Sequence, residues 1–457
     1  MRKIYFLPLI ILVLSCSNVE KKQSNDKKIN ENSVHNNIPT LNVIGHWFNE
    51  GKRENLVREF SNEFEFLNQN FHVNLVFPDK IYWTRNDPNC EAKYLQKILT
   101  SDTSKWDIVR VNNEYQTVAN YMNDPLWAKK YLVDFSEIPE FKANTNPDLL
   151  TQTQKDYWKG IIPGPYLEGF NWALWCNKEL AKELGLNVKQ FGMTADDLLQ
   201  YIKVVNEYNK RNNKQIMPIL ECSDWSTIYV LVLQLYVSEI GDETELYSDS
   251  YNEKKLEAWH KVLKFCEELA KNNTFNYDIQ SMKWQPTWNY PLTKKCLFYV
   301  NASWMYNIWL KQDSNLVNDM LPTELPTFKE PNLYFGGFMV TWAVPKNAPH
   351  KEEAIKFLLH LNQPDMAEKW ARYTKCPTGI KGGVTTSAIG TNQFEEYNSG
   401  INKKFGTRKV NFIDDSRTIF GSTRHLVNNY YKEVSRGTMT ADQAMVDIRK
   451  QLRNFRK

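Results

Sequence analysis

What this 457-residue sequence lacks narrows its chemistry first. Its seven histidines are scattered, with no His-Glu-x-x-His, and no Gly-x-x-x-x-Gly-Lys-(Ser/Thr) occurs, so neither a zinc-hydrolase helix nor a phosphate-cradling loop is in view. A Tyr/His cluster for iron and a Gly-rich nest for phosphate are also missing. The seven cysteines follow no zinc spacing, and the six from Cys90 to Cys376 read as free buried thiols, with no disulfide assignable. Lys and Arg total 57 against 53 Asp and Glu, a net +4 with both signs mixed, which does not describe a nucleic-acid surface. No segment after residue 14 reaches membrane-spanning length. Metal and cofactor are therefore not expected, and neither is catalysis. Carboxylates abound, so a glycosidase-like acid/base pair stays open on sequence alone.

What is present in excess is aromatic. Phe, Trp and Tyr make up 13% of the chain, with 15 Trp. Most of these rings serve core packing, but aromatic faces also stack on the C–H faces of sugar rings. The N-terminus carries Arg2 and Lys3 and then an apolar run from Ile4 to Leu14, too short to span a membrane and right for a signal-peptide core. Residues 17–40 are rich in Asn, Lys and Ser, a composition that buries no core and reads as a tether.

The stretch from Tyr157 to Asp197 organises the rest. After a Gly/Pro turn comes a strand with Phe170, Trp172 and Leu174 on one face and Asn171, Ala173 and Trp175 on the other. Polar and aromatic groups straight after such a turn predict a crossing point rather than a buried sheet core, and Glu168, Asn171 and Trp172 are candidate ligand contacts there. Asn177 is placed to cap a short helix, Lys178 to Leu184, and Gly185 to end it. Thr194 and Asp197 form a capping box for the next helix. Upstream, Leu41 to Ile44 and Val73 to Phe77 read as strands flanking an amphipathic helix at Leu56, Phe60, Phe64 and Leu67. That order implies a parallel sheet, whose ligands sit beyond the carboxyl ends of strands. Trp47 and Asn49 lie at such an end, with a packed core ring the alternative for Trp47. Asp107 to Glu114 is another strand with a polar end, where Glu114 is either a cleft residue or a solvated loop charge. Trp225 follows the strand Ile216 to Leu220 and divides between cleft and core. Gly336 and Gly337 permit close backbone approach beside a ligand, or a simple bulge.

Several pieces in order resemble the family 1 extracellular solute-binding proteins, substrate receptors of bacterial ABC importers. They are Gly160 to Pro163, Trp175 to Leu180, Met193 to Leu198, Asn301-Ala302-Ser303-Trp304, Glu324-Leu325-Pro326 to Phe338, Ala354 to Asp365, and Arg436 to Ala444. Leu12 to Cys16 resembles a lipobox, which implies that the Cys16 thiol carries a diacylglycerol. The resemblance implies an α/β fold of the periplasmic-binding-protein type, with two lobes of mixed, mainly parallel sheet flanked by helices. Three crossings, near residues 168, 333 and 380, join them and close on ligand by hinge motion. It divides the chain into a signal peptide (1–15), a lipidated tether (16–40), lobe 1 (41–168 plus 334–380) and lobe 2 (169–333 plus 381–457). Sugar-binding relatives of the maltose-binding type stack a ring on the Trp that corresponds to Trp304. Trp284 and Trp288 precede it and stand as candidates for the same wall. Phe420 and Arg424 lie near a late contact, where the expected Trp is absent. The implied protein is a monomer outside the cytoplasm, held to a membrane by lipid and handing a carbohydrate to a permease and its cytoplasmic ATPase. A sensing lipoprotein, a receptor for a non-sugar solute and a glycan-processing enzyme are the alternatives.

Overall fold

The computed structural model describes residues 38–47, 50–77, 89–111, 115–221, 227–241, 245–246, 252–275, 287–383, 393–406, 408–410 and 430–455. Its strands are β1 (Thr40–Ile44), β2 (His72–Val76), β3 (Val109–Arg110), β4 (Glu168–Asn177), β5 (Met217–Leu220), β6 (Cys296–Ala302), β7 (Met320–Thr323), β8 (Tyr334–Met339), β9 (Trp342–Ala343) and β10 (Lys409–Val410).

Local chemistry places the elements. The helix Lys52–Leu67 buries Leu56, Phe60 and Phe64 at helical spacing and links the parallel pair β1 and β2. Asn177 accepts from the Leu180 amide at 2.8 Å and starts the helix Lys178–Glu183, after which Gly185 takes a φ of 68°. Thr194 and Asp197 form the reciprocal capping box of the helix Ala195–Asn212. The strand expected from Asp107 to Glu114 shrinks to two residues, with 112–114 outside the described set. The Asp107 carboxylate accepts from the Asn42 and His350 amides at 2.8 and 2.7 Å, clamping β1 to the start of a later helix. Residues 334–343 divide between two strands. β8 ends at Met339, and β9 leaves to pair with β3, where the Trp342 indole donates to Ile44 O at 2.8 Å.

Two hydrophobic cores result. One draws on Leu41 to Leu167 and Val340 to Ile380, the other on Phe170 to Met339 and Phe394 to Leu452. Beside β1 and β2, the first core carries the antiparallel pair β3 and β9, tied to β1 by a parallel bridge from Val43 to Ile108. The second holds a six-stranded sheet in the order β10-β8-β4-β6-β5, with β7 also on β4. The arrangement is the two-lobed α/β fold of the periplasmic binding proteins.

β4 corrects one expectation. It crosses between the cores, yet all ten of its residues are buried. Its first half pairs with β8, and its second half is flanked by β6 and β7. The crossing point is thus itself the centre of the larger sheet. The strands lie close because glycine permits it: a Cβ on Gly336 would stand 2.6 Å from Phe170 O.

Candidate functional site

The register of β4 sorts its side chains. Directly paired residues of antiparallel strands share a face, so Glu168, Phe170 and Trp172 lie on one side with Gly337 opposite Phe170. Asn171 lies on the other, where its amide donates to Asn398 Oδ1 at 2.8 Å and Asn398 donates to Lys375 O at 2.7 Å. Trp304, which follows β6, packs against the first face. Its ring centroid is 5.2 Å from Phe170 and 5.4 Å from Trp172. Trp172 is further fixed through its backbone, whose carbonyl accepts from the hydroxyls of Tyr334 and Tyr397.

At the start of the same face, the fully buried Glu168 pairs with Arg53, which is itself buried in the first turn of the helix Lys52–Leu67. Arg53 also pairs with Glu50, and its guanidinium stands 5.5 Å from the Trp47 ring centre. Trp47 is wedged between Trp370 at 4.7 Å and Trp342 at 5.4 Å. Its φ of 61° lies in the left-handed region, a strained conformation for a bulky residue. His46 stands against Trp47 at 4.6 Å. Burial, then the guanidinium groups of Arg110 and Arg53, hold its pKa well below the ordinary value. Arg110 in turn faces Glu91 at 3.4 Å.

A pH dependence follows from His46. Its folded pKa is depressed, so below about 6.5 the unfolded chain takes a proton that the folded chain refuses, and stability falls by up to about 1.4 kcal/mol per pH unit until the folded pKa is reached. Above that range the term vanishes. Melting curves at pH 7 and pH 5 should show a larger loss for the wild type than for His46→Gln, and equal losses would remove His46 as the source.

Thus the structure joins Trp47, Glu168, Trp172, Gly337 and Trp304, and sets Asn171 on the reverse of the strand. Glu168, Asn171 and Trp172 contact protein on all sides, and Trp47 is almost fully buried. Asn49, Glu114, Trp225, Arg424 and Cys16 lie outside the described residues, as do Trp284, Phe420 and Cys222. Among the described tryptophans only Trp288 and Trp304 are half-buried, and the others are core. Cys176, Cys266, Cys296 and Cys376 are buried free thiols and Cys90 a half-buried one. Arg53 was not legible in the sequence. The string Lys52-Arg53-Glu54 reads as a solvated helix start, and no local signal marks its pairing with a carboxylate more than a hundred residues away.

In this arrangement one half-buried aromatic ring, Trp304, packs beside a buried aromatic and ionic base. Among the described residues no group of three His, Cys, Asp or Glu side chains could hold a metal ion, and no helix is long and apolar enough to cross a membrane.

The chain belongs to the bacterial extracellular solute-binding proteins, a family whose model matches residues 85–395. It is accordingly a binding protein that acts outside the cytoplasm, and not an enzyme. A similar protein is the melibiose/raffinose/stachyose-binding protein MelE of Bacillus subtilis, 21% identical over 403 residues, covering 86% of this chain and 84% of MelE. In fold it resembles RafE in complex with raffinose (TM-score 0.62, 15% identity, 90% of this chain and 97% of RafE). Maltose-bound MalE3 of T. maritima is similar to the same degree (TM-score 0.63, 13% identity, 91% of this chain and 100% of MalE3).

Proposed function

We propose that this protein is the carbohydrate receptor of an ABC importer. It captures a mono- or oligosaccharide between its lobes, closes by hinge motion and delivers the sugar to a permease driven by a cytoplasmic ATPase. A diacylglycerol on Cys16 anchors it as a monomer to the membrane, after removal of residues 1–15, through the tether 16–40. The observation that carries the sugar assignment is Trp304, a half-buried ring at the end of β6 braced by Phe170 and Trp172. A braced ring offers an apolar face to sugar C–H groups at little cost in conformational entropy. The ligands of MelE, RafE and MalE3, all saccharides, support the same class.

We place lobe 1 at residues 41–168 and 340–380 and lobe 2 at 169–339 and 381–457. The separation of the two cores supports this division and moves the second junction from 333 to the end of β8. Trp304 serves as the stacking platform. Trp172 and Glu168 shape the floor beneath it, Trp47 packs beside Arg53, Asn49 is a further ligand contact, and Gly337 leaves room opposite Phe170. Asn171 holds the reverse of the crossing strand, while Glu114, Trp225 and Arg424 are further polar and aromatic ligand contacts.

The test is calorimetric titration of the compact unit Pro39–Lys457 with raffinose, stachyose, melibiose and maltose. One-to-one binding of one sugar without turnover is the expected result. No heat with any saccharide from folded protein would overturn the carbohydrate assignment and leave the family standing.

A further inference from the structure

Over its first residues β4 pairs with β8 on one edge. On the other it meets residues 375–379, which follow the first-core helix Pro364–Thr374 and lead towards the third crossing. Two backbone bonds join the segments: the Gly379 amide donates to Tyr166 O at 2.9 Å, and the Gly169 amide donates to Pro377 O at 2.5 Å. The approach is close, for a Cβ on Gly379 would stand 2.6 Å from the Tyr166 Cβ. The third connection is made by a side chain. Asn171 Nδ2 donates to Asn398 Oδ1 at 2.8 Å, and Asn398 Nδ2 donates to Lys375 O at 2.7 Å. Residues 166, 169 and 171 thus face 379, 377 and 375 in antiparallel order, and Asn398 fills the place of the next rung.

The chain has a physical reason to use a side chain there. Pro377 has no N–H to return to β4, and Lys375 turns to a φ of 57° to end its helix, so the backbone alone does not continue the ladder. An Asn amide does, because it carries a donor and an acceptor as a peptide group does. Asn398 belongs to neither segment. It lies buried in the second-core helix Gln393–Phe405. Glu395, one turn earlier on the same helix face, pairs with the Lys375 ammonium, so Lys375 is held by both its carbonyl and its side chain.

We propose that Asn398 is a positioning residue for ligand capture: by bridging Asn171 of the crossing strand and the Lys375 carbonyl, it couples two of the three connections between the lobes, so that they turn together when the lobes close. Each end of the bridge is buried, so no water replaces a bond that is lost, and the coupling is correspondingly stiff.

Amide exchange on the full-length chain reads the bridge at places that Asn398 does not touch. In N398A the Gly169 and Gly379 amides should exchange about tenfold faster, relative to amides 173–176 of β4, which stay between β6 and β7. A side chain that only packs its own helix would speed exchange in residues 393–405 alone, and that outcome overturns the proposal. Should N398A not fold, N171A cuts the same bridge from the strand side, and an unchanged Gly379 amide is then fatal. The capture arm rests on the sugar-receptor reading and uses whichever of raffinose, stachyose, melibiose and maltose the wild type binds. If uncoupled connections reach the closed shape about a tenth as often, apparent affinity falls about tenfold. Faster exchange with wild-type affinity would leave a structural brace and overturn the role in capture. If the wild type binds none of these sugars, that reading fails by itself, and exchange at Gly169 and Gly379 alone decides whether Asn398 couples the connections.

Discussion

Trp304→Ala should weaken binding of the saccharide that the titration identifies by roughly 30- to 100-fold, because a Trp anchor in a binding site commonly carries about 2–3 kcal/mol and each 1.4 kcal/mol is tenfold. The loss should far exceed the structural damage. Trp304 is half-buried, so the deletion removes contact with Phe170 and Trp172 without opening an enclosed cavity. The expected cost in stability is about 1–2 kcal/mol, from lost apolar burial and two ring–ring contacts. Titration calorimetry beside thermal melting makes the comparison, with Trp304→Phe as a control that keeps a smaller stacking face and recovers part of the affinity. Equal affinity for Trp304→Ala and the wild type would remove Trp304 from the site.

Trp172→Ala should show the opposite balance. Its ring is fully buried at the centre of the largest sheet, and truncating such a ring costs about 3–5 kcal/mol through lost transfer energy and the cavity left behind. The main readout is a lower denaturant midpoint with an unchanged slope, because the folded and unfolded surfaces differ little between the variants. Affinity should fall as well, since Trp304 loses one of its two supports and samples more orientations. The hydroxyls of Tyr334 and Tyr397 bond to the backbone of residue 172 and survive the change, so the strand keeps its pairing and the variant remains measurable. A stability loss below about 1 kcal/mol would mean that the site collapses around the missing ring, at the tolerant extreme for core truncations.

The contrast between these two rings marks how far the sequence could be read. Both are candidate ligand contacts in the sequence, Trp172 as an aromatic residue of the crossing strand and Trp304 through the resemblance to sugar-binding relatives. Only the packing separates a ring with open surface from one beneath it. Asn177, Gly185, Thr194 and Asp197 were legible because a cap or a left-handed residue acts within a few positions of itself. The helix at Leu56, Phe60 and Phe64 was legible by its period. β4 was misjudged as an exposed crossing because its burial depends on β6, β7 and β8, all more than a hundred residues away. Alternation sends Asn171 to the opposite face from Glu168 and Trp172, but which of the two faces packs against Arg53 and Trp304 depends on distant segments.

By itself the sequence determined the local elements, the family and the class of chemistry to set aside, because capping, periodicity and ordered motifs are short-range properties of the chain. Only the tertiary structure decided which tryptophans stay half-buried, which carboxylate Arg53 holds, and where one core gives way to the other. Those outcomes arise from pairings between distant segments, and the energy of a buried ion or ring depends on partners that no local pattern names.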